Sequence, residues 1–287
     1  MTTAVLLGLG AAVGYGLGDF LGGHYSRRLG IVSVLAVGQL AGLAVLLLAA
    51  APFSPTPPGR ADLLWGGLAG LLGVTGGVLL LYGFRHGRLS VVSPVSSLGA
   101  AGVPVLADLA VGNQPSPPAL VGIGLALGAI YLVSLAADDP TRRRAAPSAG
   151  VWPGLGSGVG FAAMYLALDR TDPASGAWPV IASQVAIVVA VGAVVLVRRW
   201  RIEVPWRWLP GVAASGITSA LATASFVFAA RAGFVSIAAV IASLSPGVTV
   251  LLARWLLTER LRAHQLGGLV AAGAALALVL AARLGHY

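Results

Sequence analysis

Gly8-Leu9-Gly10-Ala11-Ala12-Val13-Gly14-Tyr15-Gly16-Leu17-Gly18-Asp19 returns, 146 residues later, as Gly154-Leu155-Gly156-Ser157-Gly158-Val159-Gly160-Phe161-Ala162-Ala163-Met164-Tyr165. The glycines at the first, third and seventh places and the valine at the sixth are shared. Tyr15 meets another aromatic, Phe161, whereas the acid Asp19 meets Tyr165. The offset is about half of the 287 residues, so the stretch reads as one copy of a duplicated unit. The same register runs on. Gly70, Tyr82 and Arg85 meet Gly216, Phe228 and Arg231; Gly87, Ser90, Ser97, Leu98 and Leu106 meet Gly233, Ser236, Ser243, Leu244 and Leu252; Gly122 meets Gly268. Gln39 and Gln184 pair at an offset of 145, which places one inserted residue near them.

The chain is 57% hydrophobic and only 9% charged, with a mean hydropathy of +0.91. A soluble domain carries about 25% charged residues, so this composition does not cover a water-facing surface. Apolar runs of roughly 20 residues, the length that crosses a bilayer core as a helix, separate the charged clusters. Barrel strands would be shorter and alternating. The expected fold is therefore an all-α integral membrane protein of ten transmembrane helices, at about 4–24, 31–51, 62–84, 89–111, 117–136, 151–168, 177–197, 208–230, 234–257 and 263–283. Residues 1–136 form a first repeat, 137–150 a linker and 151–287 a second repeat. The linker and the connectors Phe53–Arg60 and Gln114–Pro118 are rich in proline and other turn formers. The start lacks a basic region before its apolar run, and that run has a partner deep in the chain, so it reads as a mature helix and not a cleaved leader.

Five helices per repeat is an odd number, so the second copy enters the membrane upside down relative to the first. Inverted repeats are a construction of secondary transporters, whose site lies near mid-membrane where the halves meet.

Several chemistries are disfavoured. There is no cysteine, so no thiolate site and no disulfide exist, and the four histidines lack metal-ligand spacing. No catalytic set, metal or cofactor is expected. Gly8-x-Gly10-x-x-x-Gly14 lacks the preceding strand a dinucleotide fingerprint needs; the spacing of Gly10, Gly14, Gly18 and Gly22 fits close helix packing instead. The net charge of +9 is all arginine. Arginines between spans meet lipid headgroups more readily than nucleic acid, and the expected partners are membrane lipids and a small-molecule substrate, for a monomer.

Asp19 is the sharpest signal, because an acid inside a span is costly and normally faces the bundle interior or a cavity. Two readings stay open: a carboxylate working in a cavity, with proton coupling as its candidate role, or a residue near the helix end paired with Arg27 or Arg28. Tyr15 lies one turn away, and Phe161 and Tyr165 occupy the matching face of the second half. Gln39 and Gln184, well inside their spans, need partners from another helix or from a substrate. Tyr82, Phe228, Ser97 and Ser243 complete the candidate cavity lining. Pro94 and Pro246, each beside serines, are candidate gating kinks, since proline frees a carbonyl that hydroxyls re-satisfy.

Two five-helix repeats, a first helix ending Gly-Leu-Gly-Asp-Phe, and a close of Pro246…Thr258-Glu259-Arg260…Gln265-Leu266-Gly267-Gly268 resemble the EamA-type family of the drug/metabolite transporter superfamily. The resemblance spans essentially the whole chain, though Asn113 stands where the first repeat of the family has an acid. It implies no enzyme and no ATPase but a cell-membrane exporter of an amino acid, metabolite or drug, working by alternating access. A flippase for lipids or lipid-linked sugars on the same fold is the alternative. Orientation divides the evidence: 14 of the 18 arginines fall after odd-numbered spans, which by the positive-inside rule puts both termini outside, whereas the family resemblance implies termini inside.

Overall fold

The computed structural model describes residues 2–50, 57–87, 89–110, 150–232 and 245–256, together with scattered positions between 121 and 128, at 238 and 242, and between 263 and 278. Among these residues all regular structure is helical. The helices are α1 (Thr2–Ser26), α2 (Ile31–Ala50), α3 (Arg60–His86), α4 (Leu89–Ala110), α5 (Val151–Asp169), α6 (Trp178–Arg198), α7 (Leu209–Ala232) and α8 (Ser245–Leu256). One-turn 3₁₀ segments, Pro173–Ser175 and Trp206–Trp208, precede α6 and α7. Six helices are long and apolar enough to cross a membrane. Most of the expected fifth and tenth spans, most of the first part of the ninth, and Ser243, Glu259 and Asn113 lie outside the described residues.

Lipid cannot hydrogen-bond a backbone, so spanning segments close their own bonds as helices. Their outer surfaces stay apolar: Leu48, Leu196 and Trp255 are each more than three-quarters exposed. Inside, small residues let backbones meet. A Cβ built on Gly14 would stand 2.9 Å from Ala222 Cβ and from the Thr218 carbonyl, and one on Gly160 would stand 2.8 Å from Gly76 Cα and 3.2 Å from the Leu72 carbonyl. Each contact is the other shifted by 146 residues. Likewise a Cβ on Gly216 would strike the Gly38 carbonyl, and one on Gly70 the Ser183 carbonyl, with Gly38 and Ser183 offset by 145, as are Gln39 and Gln184.

The two halves interleave. α1 packs chiefly on α7, and its counterpart α5 on α3; α2 packs on α7 as α6 packs on α3; α1 meets α8 as α5 meets α4. Consecutive helices such as α1 and α2, or α6 and α7, touch far less. Each half therefore buries its helices mainly against the other half.

The ends of the bundle are tied differently. At the end carrying the arginine-rich loops, called here the basic face, Tyr25 packs on Trp208 with centroids 6.2 Å apart, and the Arg28 guanidinium lies 5.8 Å from the Trp208 ring. At the opposite face the residue equivalent to Trp208 is Asp62. Its buried carboxylate accepts the backbone N–H of Asp172 at 2.8 Å and that of Gly59 at 3.2 Å. Arg231 closes the same loop by donating to the carbonyls of Gly176 and Asp172 and to the Thr171 and Ser175 hydroxyls. Arg85, its repeat partner, donates to the Leu29 carbonyl at 3.1 Å at the basic face. One position thus carries an aromatic staple at one face and a carboxylate staple at the other.

Candidate solute cavity between the two halves

The interleaved helices leave a cavity of about 160 Å³ between them. Its position follows from the repeat. Gln184 donates its amide N–H groups to the Gln39 side-chain carbonyl and, at 3.0 Å, to the Gln39 backbone carbonyl. Equivalent residues touch only where a two-fold axis passes, so this pair marks the pseudo-symmetry axis, and both glutamines line the cavity.

Tyr15, Asp19, Gln39, Ser97, Phe161, Tyr165 and Gln184 are brought together in the lining. Asp19 lies seven residues before the end of α1 at Ser26. It faces the cavity, and the Ser93 hydroxyl donates to its Oδ2 at 3.3 Å. The helix-end reading of Asp19 is not what the geometry favours: Arg27 donates to the carbonyls of Phe84 and Gly87, and Arg28 lies over Trp208. Tyr15 and Tyr165 meet edge-on with centroids 6.4 Å apart, and Tyr165 packs on Phe226 at 4.2 Å. Apolar residues including Ala69, Leu168, Val180 and Ala229 fill the bundle around this aromatic layer. In the other direction the lining continues to Gly22, Val34 and Leu81, each within five residues of the basic-face end of its helix.

Tyr82 and Phe228 are not in the lining. Tyr82 is exposed on the outer surface of α3, its ring 4.1 Å from that of His86, and Phe228 packs against the apolar cluster. Helical phase explains Tyr82, which sits on the side of α3 turned away from the bundle. Pro94 is buried within α4, beside the lining residues Ser96 and Ser97. Pro246 follows the lining residue Ser245 in α8.

The sequence reading passed over a polar stripe on α7. Ser215, Ser219 and Thr223 recur at four-residue spacing and all line the cavity. Their hydroxyls donate to Val212, Ser215 and Ser219 carbonyls at 2.8, 2.9 and 3.0 Å, and Tyr15 donates to Thr223 Oγ1 at 3.0 Å. The spacing was visible in the sequence; its significance needed the helix phase. Ser96 and Ser157, 3.0 Å apart, add a buried hydroxyl pair between α4 and α5. No group of three metal-ligating side chains occurs among the described residues.

The EamA-like transporter family matches the chain twice, over residues 2–135 and 148–281. The chain belongs to the EamA-like transporter family. It is thus a multi-pass membrane protein of the drug/metabolite transporter type. An uncharacterized protein of Methanocaldococcus jannaschii is 28% identical over 135 residues, 47% of this chain and 98% of that relative. That relative is about as long as one repeat. A crystal structure titled only as that of a protein superposes with a TM-score of 0.60 at 15% identity, covering 99% of both chains, which speaks to the fold alone.

Proposed function

We propose that this EamA-family member is a secondary transporter that carries a small organic solute across the cytoplasmic membrane by alternating access, most simply as an exporter. In this reading ten spans form two inverted five-helix repeats. The observation that carries it is the cavity on the pseudo-two-fold axis, held between Gln39 and Gln184 and containing the carboxylate of Asp19. A site on the axis is equally related to both halves, so exchanging the conformations of the halves exposes it to either side. Several contacts between the halves are glycine against backbone, such as Gly216 on Gly38 and Gly160 on Gly76, and such close approaches involve no side chain on the glycine.

Asp19 is the proposed coupling group. A carboxylate in a low-dielectric cavity is stable either protonated or paired with a cation, so it can hold a proton on one leg of the cycle and solute on the other. The test is solute flux in proteoliposomes under an imposed pH gradient. Asp19→Asn is expected to abolish gradient-driven accumulation while leaving the protein folded and monodisperse. Undiminished accumulation in that variant would remove the coupling role. Flippase activity is the less favoured reading, since no arginine is found among the described lining residues to meet an anionic headgroup.

A further inference from the structure

We infer that the solute is an organic cation, an aromatic or apolar body bearing a single protonated amine, with the ammonium seated at Asp19. The inference rests on the transport reading above and narrows it. Three independent features of the lining lead to it.

The first is charge. Among the described lining residues Asp19 is the one ionisable acid, and arginine and histidine are absent. A solute carboxylate or phosphate would face a like charge with no compensating cation, and like-charge juxtaposition costs several kcal/mol. A monocation leaves the site neutral.

The second is the direction of the hydrogen bonds. Ser215, Ser219 and Thr223 commit their protons to carbonyls one turn earlier on α7. Gln184 spends its amide N–H groups on Gln39. A hydroxyl whose single proton is committed still carries acceptor lone pairs. These groups therefore offer a solute oxygen acceptors, complementary to an ammonium with several N–H donors and mismatched to a carboxylate.

The third is aromatic. Tyr15, Phe161 and Tyr165 line the same cavity, and ring faces attract cations within about 6 Å. Because the Tyr15 hydroxyl is tied to Thr223, its ring is held in place. Leu80, Leu81 and Met164 supply an apolar wall for the solute body.

The test uses three probes that share a phenylethyl body and differ in charge: phenethylamine, phenylalanine and 3-phenylpropionate. Each is titrated calorimetrically into the purified full chain in detergent at neutral pH. Phenethylamine is expected to bind at least about tenfold more tightly than phenylalanine, the scale of one charge-assisted hydrogen bond, and Asp19→Asn to erase the difference. The unmodified protein's series decides by itself if the variant does not fold. Equal or tighter binding of phenylalanine or 3-phenylpropionate would overturn the cation inference while leaving transport standing. Absence of binding by all three would also overturn it, and flux of uncharged or anionic solutes in liposomes would then show whether the transport reading survives.

Discussion

Gln184 is buried, 5% exposed, and its amide donates to Gln39, the partner that the repeat supplies. Removing one member of the pair strands the other's amide in an apolar setting. Gln184→Leu should therefore lower stability by about 0.6–2 kcal/mol, the range for interhelical side-chain hydrogen bonds in membranes. The double variant Gln39→Leu/Gln184→Leu should lose less than the sum of the single losses, because two leucines strand nothing. A double-mutant cycle on detergent-solubilised protein reads this directly; additive losses would mean that the amides do not bond each other. Asp19 has no such twin. Tyr165 stands at its repeat position, so the one acid of the cavity belongs to one half alone, and the coupling proposed for it needs no second carboxylate.

Helix pairing depends on where a glycine points. Gly216 and Gly70 press on backbone carbonyls of α2 and α6, which cannot rotate away as a side chain can. Gly216→Ala should separate α7 from α2 and cost about 1–3 kcal/mol, as overpacking does, visible as a lower melting temperature. Gly67 lies on the same helix as Gly70 but meets open space, so Gly67→Ala should leave stability unchanged or raise it slightly through helix propensity. Equal loss in both variants would show that propensity, not contact, governs these sites. The staples at the helix ends allow a similar comparison. Asp62→Ala leaves the Asp172 and Gly59 amides without their acceptor, and about 0.5–1.5 kcal/mol of destabilisation per lost bond is expected. Asp62→Asn keeps one acceptor oxygen and should lose less. If the two variants melt alike, hydrogen bonding to the loop is not what Asp62 contributes.

For the whole molecule, the interleaving of the halves means that neither repeat buries its own helices alone. Orientation remains a property of the assembled bundle in its membrane. The basic face gathers the loops around Arg27 and Arg28 and around Arg198–Arg207, and positive charge favours the cytoplasm. A reporter fused after Tyr287 is accordingly expected to be active on the non-cytoplasmic side. The cavity lining, which runs toward the basic face, would then approach the cytoplasm, as loading for export requires. Activity of a cytoplasm-specific reporter at that position would reverse the assignment.

Much of this was legible in the chain. Composition dictated helices in lipid, since only a hydrogen-bonded helix keeps such apolar runs satisfied. The 146-residue register reappears in the contacts of Gly14 and Gly160, and the 145-residue offset brought Gln39 against Gln184. Periodicity along one helix, however, says which residues share a face and not which way that face turns. Hence periodicity groups Tyr82, paired with Phe228 by the repeat, with the cavity although it looks outward, and does not mark the Ser215–Ser219–Thr223 stripe although it looks in. The chain by itself determined a duplicated, membrane-spanning helical bundle with a single acid in its opening glycine stretch. Only the tertiary structure decided that Asp19 faces a cavity, that the α7 hydroxyls lining it have their protons committed to backbone carbonyls, and that Asp62 and Trp208 staple opposite faces. Those facts depend on the relative rotation of packed helices, which is fixed by contacts between residues far apart in sequence.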